Sequence, residues 1–493
     1  MNSTASQVPA TGNGLKIREY VGYALGDTAS NFFFQTFSIF LTFYYVTIWG
    51  IPKTALLWLI PVVRLFDAVN DPVMGMVADR TNTRWGKFRP YILWAAIPYG
   101  ICGYLLFLGP DFTQTGKIIY AFITYMLMLM CYTVINVPYS SLMGVLSPSS
   151  RTRAVASSYR FVGAFAGGFL VSTFVRPLVK FLGGTDEAGN INYVLGFKWT
   201  MAIFAVVSVI FFWITFITTK ERVKPPRGQK TNVLGELNEL IHNWPWIMLL
   251  IATVFSTTFI ALRAGTTLFY FDYVIKDSGD PIFHIGSLDF DRATIFLSTG
   301  MLAQIAGTVM LGFIVRRIDK KYAAAGLCTV TGICFMTFYV LPKDRYVLLL
   351  VVNAIGYLCM GPTSALTWAL YGDVADYGEW KFGRRSTGLV FSASLFSIKS
   401  GMMVGGFLLP LFLFLFGFVE PREVNGVKEI VEQTPKAILG ITLAFSLVPG
   451  FIALLKAGAL WIYPLNQKRV SQIEEELNSR RLAAEESTEM ESA

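Results

Sequence analysis

Apolar stretches long enough to cross a bilayer recur along most of this 493-residue chain, and nothing else constrains its fold as strongly. Inside a bilayer every backbone N–H and C=O must find its partner within the protein, which restricts long apolar spans to helices. Only 15% of the residues are charged and 54% are hydrophobic, against about 25% charged in soluble proteins. The expected fold class is therefore an all-α polytopic membrane protein.

Twelve spans are expected, at about 20–48, 55–78, 91–109, 117–146, 154–178, 197–219, 245–273, 292–315, 323–341, 347–371, 388–417 and 436–463. An even number places both termini on one side. Alternate loops carry Arg80, Arg84, Lys87 and Arg89; Arg151 and Arg153; Lys220 to Lys230; Arg316 to Lys321; and Lys381, Arg384 and Arg385. The intervening loops carry few basic residues, such as Lys53 and Lys276. By the positive-inside rule the basic loops and both termini are cytoplasmic. The net charge of +9 thus reports topology and gives no sign of a nucleic-acid partner. Residues 1–14 are polar and lack the apolar core of a signal peptide.

The longest basic loop, with Pro225 and Pro226, divides the spans six and six. The organisation expected is an N-terminal segment 1–19, a first bundle 20–219, a linker 220–244, a second bundle 245–463 and a charged tail 464–493 read as a short surface helix. Gly75 to Arg80 after span two has a faint echo in Gly312 to Arg317 after span eight, as two related halves would give. The five cysteines lie in apolar segments without a CxxC pair and read as small core residues, and the two histidines are too far apart in sequence to suggest a metal cluster.

Span two contains Arg64-Leu-Phe-Asp67-Ala-Val-Asn70-Asp71-Pro72. Asp67 and Asp71 fall on one helix face, one turn apart. One aspartate at mid-membrane costs about 2.5–3.5 kcal/mol. Two carboxylates about 6 Å apart add roughly 3 kcal/mol of repulsion at an effective dielectric near 20. Something positive must lie between them: a bound cation, a proton or a basic side chain from another helix. A small-cation site inside a membrane is what couples a symporter to an ion gradient.

The segment Gly75-Met-Val-Ala-Asp79-Arg80-Thr-Asn-Thr-Arg84-Trp-Gly86-Lys87-Phe-Arg89-Pro90 resembles the signature loop of the major facilitator superfamily. The aspartate motif resembles that of the glycoside–pentoside–hexuronide:cation symporters, the melibiose permease group. Tyr132 to Tyr139, Ser158 to Phe161, Asp373 to Lys381 and Phe396 to Gly401 match that family in position and order. The resemblance implies a major facilitator fold of twelve transmembrane helices in two six-helix bundles, working as a monomer in a bacterial inner membrane among lipids. It also implies uptake of a sugar or glycoside coupled to sodium or protons, without enzymatic activity or a further cofactor. Asp67, Asn70, Asp71 and Thr133 would form the cation site, with sodium between Asp67 and Asp71, and Lys399 would balance the aspartates without it. A static Asp–Lys pair that only holds two helices together is the plainer alternative.

The matching sugar-site positions are Asn31, Asn136 and Arg160, with Tyr132 nearby. Arg263 and Lys399 add positive charge, and Trp368 offers a stacking face. Melibiose permease has carboxylates where this chain has Asn31 and Asn136, so the cavity is less acidic and leans to an acidic sugar, a uronide or sulfonated sugar. Arg160 and Arg263 could equally pair with Asp27, Asp272 or backbone carbonyls. Asp79, Arg80, Arg84, Asp373 and Asp376 read as gating or structural residues in loops. A neutral pentoside or hexoside symporter and a lipid-type carrier on the same scaffold are the rivals.

Overall fold

The structure is a computed structural model that describes residues 15–147, 149–185, 191–222, 240–277, 280–383, 387–424, 427–429 and 431–492. Residues 1–14, residues 223–239 with Pro225 and Pro226, Arg384, Arg385 and the side chains of Asp79 and Arg151 lie outside the described residues.

Eleven spans are continuous helices: α1 (Ile17–Phe43), α2 (Lys53–Arg80), α3 (Arg89–Leu106), α4 (Gln114–Leu146), α5 (Ser150–Gly183), α6 (Tyr193–Thr218), α7 (Trp244–Phe269), α8 (Arg292–Val315), α9 (Lys320–Thr337), α10 (Tyr346–Phe382) and α11 (Thr387–Leu415). π-Helical turns extend α1 through Tyr44–Ile48 and α7 through Tyr270–Ile275. The twelfth span breaks at Ser446 into α12 (Pro435–Phe445) and α13 (Leu447–Ile462). Two hairpins, Phe283–Ile285 with Leu288–Phe290 and Arg422–Val424 with Val427–Glu429, lie in loops at the end away from the basic loops. Side-chain caps start several helices: Thr113, Asn192, Asn243, Asp291 and Thr434 each accept a backbone N–H from the first turn.

Eight helical segments are long and apolar enough to span a bilayer on composition alone. The other four spans are α1, α2, α3 and α9. Arg64, Asp67 and Asp71 interrupt α2, and polar residues dilute the apolar run in α1, α3 and α9.

α10 corrects one expectation. It runs 37 residues, past the end placed near residue 371, so Asp373 and Asp376 stand on a helix and not in a loop. Its projecting end receives the tail helix α14 (Gln467–Ser492), where Trp380 Nε1 donates to Glu476 at 2.6 Å and Arg480 donates to the Trp380 carbonyl at 3.0 Å. The cysteines are free, although Cys102 and Cys131 bring their sulfurs within 3.6 Å across α3 and α4.

Helices α1–α6 form one bundle and α7–α13 the other, meeting along α2–α11, α5–α8 and α1–α7. At the end opposite the basic loops the bundles are locked together. Lys53 pairs with Glu420 at 3.2 Å. Arg176 of α5 pairs with Asp291 at 3.0 Å and Asp272 at 3.4 Å, and Lys180 reaches Asp291 at 2.8 Å. Thr173 and Ser298 hydroxyls meet at 2.9 Å. At the basic end, the pairs Arg222–Glu19 and Lys320–Asp373 each stay within one bundle. These bundle contacts run from the locked end to the level of Lys399.

Candidate functional site

Helical periodicity places Arg64, Asp67 and Asp71 on one face of α2. Lys399 of α11 comes between the two carboxylates, its Nζ at 2.8 Å from Asp67 Oδ1 and 2.7 Å from Asp71 Oδ1. The same ammonium donates to the Asp67 carbonyl at 3.2 Å. Thr133 of α4 completes the cluster, its hydroxyl within 3.1 Å of Asp67 Oδ1 and 2.8 Å of Asp71 Oδ1. One hydroxyl proton serves one acceptor at a time. Asp67 is buried, whereas the Asp71 side chain keeps 22% of its surface exposed, enough to face an approaching ion.

Lys399 therefore stands where a small cation would. The two carboxylates and the Thr133 hydroxyl are hard oxygen donors of the kind alkali cations accept. Asn70, half-buried on α2, makes no hydrogen bond to this group. The two carboxylates outnumber the single ammonium between them, and Arg64, one turn away on α2, brings the wider group to neutrality.

The sugar-site candidates gather on the first bundle. Arg160 of α5 pairs with Asp27 of α1 at 2.5 Å, donates to Ser140 Oγ at 3.1 Å and stacks over Tyr139 at 5.2 Å. Asn31 donates to the Asp27 carbonyl at 2.9 Å. Asn136 accepts from Ser30 at 2.7 Å and donates to the Tyr132 carbonyl at 3.0 Å, so each amide keeps hydrogen-bonding capacity. The Tyr132 ring stacks on Phe34 at 5.9 Å.

Arg263 is not brought to this group. It lies inside the second bundle, 1% exposed, donating to the Phe445 carbonyl at 2.7 Å and to Asn353 Oδ1 at 3.2 Å. Its guanidinium is packed over the rings of Phe335, Phe445 and Phe338 at 3.9–4.7 Å. It takes up a carbonyl at the helix break before Ser446, a role for an arginine that span position alone does not reveal. Trp368 stands on α10, 6.1 Å from Tyr371 and apart from the Asn31 group in the chain's packing.

Asp373 pairs with Lys320 of α9 at 2.7 Å, inside the second bundle. Arg80 is exposed, and Arg84 lies over Trp85 at 4.4 Å. The signature loop is anchored by a residue that sequence reasoning passed over. The Glu221 carboxylate, just after α6, accepts the backbone N–H groups of Lys87, Phe88 and Arg89 at 2.8–3.1 Å. Gly86 makes room for it: φ is +110°, and a Cβ there would collide with that carboxylate. The locking residues Arg176, Lys180 and Asp291 were also passed over, since ion pairing across bundles leaves no local spacing pattern.

A twelve-helix, two-bundle fold with a charged cluster at the seam defines a secondary transporter of the major facilitator type. Residues 22–467 match the family model of MFS/sugar transport proteins. The inner membrane symporter YicJ of Escherichia coli (strain K12) is 32% identical, with 90% of each chain covered. A glucuronide carrier protein homolog of the same bacterium is 31% identical, covering 95% of this chain and 96% of its own. The isoprimeverose transporter of Lactiplantibacillus pentosus is 30% identical, covering 91% and 89%. The chain belongs to the MFS/sugar transport family, and within it to the glycoside–pentoside–hexuronide:cation symporters. It is a multi-pass bacterial membrane transporter of the sugar-symport class, not an enzyme.

Proposed function

We propose that this chain carries a sugar or glycoside, leaning to an acidic one, into the cell together with a sodium ion or a proton. The observation that carries the reading is Lys399 held between Asp67 and Asp71 at 2.7–2.8 Å. An internal cation at the bundle seam can be exchanged for a transported one. Asp67, Asp71 and Thr133 bind the ion, with Asn70 able to turn in as a fourth oxygen donor. Asn31, Tyr132, Asn136 and Arg160 bind the sugar, and Trp368 and Lys399 approach it from the second bundle.

The basic loops set the termini in the cytoplasm of an inner-membrane protein. With that orientation the locked end is extracellular, and the ion pairs there close the seam to the outside. In the outward-open state the pairs Arg176–Asp291 and Lys53–Glu420 separate. The ion then displaces the ammonium, the sugar binds, and rocking of the bundles delivers both inside. Glu221 and the signature loop with Asp79, Arg80 and Arg84 steady the first bundle at the basic end. Asp373, with Asp376 on the same helix, steadies the second. Each ion moved down a 100 mV potential supplies about 2.3 kcal/mol.

The acidic lean is supported by the amides Asn31 and Asn136 and by the relative named as a glucuronide carrier homolog. One observation favours a neutral glycoside: Arg160 is already paired with Asp27, and one relative is named for isoprimeverose. Equilibrium binding to the purified protein separates these. The panel is a galactoside, a xyloside, a glucuronide and a sulfonated sugar, with and without sodium, at neutral and mildly acidic pH. Sodium- or proton-enhanced binding of an acidic member is expected. Enhancement of neutral members alone keeps the symporter and removes the acidic lean. Binding of none favours a lipid-type carrier.

A further inference from the structure

One turn from Asp67, toward the locked end of α2, Arg64 points into a small pocket between the two bundles. Its walls are Phe37 and Ser38 of α1, Tyr125 of α4, Gly265 of α7, and Gly405 and Gly406 of α11. Arg64 is only 8% exposed, yet its Nε–H has no hydrogen-bond partner and it makes no ion pair among the described residues. Its guanidinium lies 5.2 Å from the Phe37 ring and 5.7 Å from that of Tyr125. Tyr125 and Asp67 are its polar neighbours, and the Nε–H, like that of Arg263, is a donor to spare.

The pocket is linked to the candidate sugar site through Phe37, which lines the pocket and touches Tyr132. Tyr132 and Tyr125 are seven residues apart on α4, about 10 Å along the axis. Phe37 bridges them edge-on, at 6.4 Å from Tyr132 and 6.2 Å from Tyr125. Three aromatic rings thus run from Tyr132 through Phe37 to Tyr125, beside Arg64. Glycines on the opposite wall keep the pocket narrow: a Cβ on Gly406 would press on Ile60 at 3.1 Å.

Charge points the same way. Asp67 and Asp71 are offset by Lys399 and Arg64, and Asp27 by Arg160, so these groups sum to zero. A bound sodium ion raises the total to +1, and a monoanionic sugar returns it to zero. In a poorly solvated seam an uncompensated charge is expensive. Because both bundles bound the pocket, opening the locked end presents Arg64 to an incoming anion one turn before Asp67.

We propose that this pocket is the subsite for the acidic group of the transported sugar, with the Arg64 guanidinium as its ion-pairing donor. The proposal rests on the acidic-sugar reading above and gives it a place that neither Arg160 nor Arg263 provides. The ligand class is a sugar carrying one carboxylate or sulfonate.

The test compares full-length wild type, Arg64→Lys, Arg64→Gln and Ser38→Leu, which fills the pocket from α1 and leaves Arg64 in place. The probes are p-nitrophenyl glucuronide and p-nitrophenyl glucoside in saturating sodium, and the readout is the ratio of their affinities. Wild type is expected to favour the glucuronide. Arg64→Gln and Ser38→Leu should lower the ratio roughly 10- to 100-fold, the range of a charge-assisted hydrogen bond. Arg64→Lys, which keeps the charge and loses the fork, should fall between. A wild-type preference that survives in Arg64→Gln overturns the subsite and leaves the acidic reading standing. No wild-type preference, with sodium-dependent glucoside binding, overturns both. If Arg64→Gln fails to fold by its melting curve, a ratio unchanged in both Arg64→Lys and Ser38→Leu overturns the subsite.

Discussion

The two bundles share a packing device and differ in how they treat buried charge. In the first, α5 lies against α1 through Gly163, whose carbonyl accepts from Thr28 at 2.9 Å. In the second, α11 lies against α7 through Gly401, whose carbonyl accepts from Thr258 at 3.1 Å. The same Thr-to-Gly bond at corresponding helix pairs is what two related halves would show. The charges do not repeat. The first bundle matches Arg160 with Asp27 and places two carboxylates on α2. Among the described residues, the second buries Arg263 and Lys456 against neutral oxygens, the Phe445 carbonyl, Asn353 and Ser256. It lends Lys399 across the seam. The halves share this helix-packing contact, and the break in symmetry at Lys399 makes the ion site depend on both bundles at once.

The strongest way to break this comparison is to remove the shared charge. Lys399→Gln leaves Asp67 and Asp71 unbalanced, and breaking a buried pair costs about 3–5 kcal/mol. Melting curves should show a loss of that order without sodium and recovery of much of it in sodium chloride. An equal loss in both conditions would mark a static pair. Asp71→Asn acts on coupling. A 100 mV potential is worth about 2.3 kcal/mol per ion, roughly a 50-fold accumulation, and vesicles carrying this variant should show none of it. Full gradient-driven accumulation would separate Asp71 from the ion.

The lock can be tested at the other seam. Asp291→Asn weakens the pairs to Arg176 and Lys180, a change of about 1.5–3 kcal/mol for charge-assisted bonds. A cysteine introduced at Ser298 should then be alkylated faster from the extracellular face, and an unchanged rate would show that the pairs do not hold the seam. The smallest effect sharpens the contrast in the second bundle. A buried charge without a carboxylate can be replaced by an apolar side chain of similar volume at little cost. Arg263→Met should keep sodium-dependent ligand binding within about threefold, or roughly 0.7 kcal/mol. A larger loss of binding at unchanged melting temperature would return Arg263 to the sugar site.

Much of this molecule was determined by the sequence alone. Recurrent apolar length dictated helices, because a bilayer gives the backbone no other partner. The i, i+4 spacing placed Asp67 and Asp71 on one face, and their cost there demanded a positive partner. Local pattern cannot state which helix of the other bundle supplies that partner or which arginine is already engaged. Arg160 and Arg263 look equally free along the chain. Only packing joins one to Asp27 and the other to a broken helix, since both contacts link residues more than a hundred positions apart. The ion pairs of Asp291, the Glu221 anchor and the pocket at Arg64 were likewise decided by the tertiary structure, which alone sets distances between helices that meet only after folding.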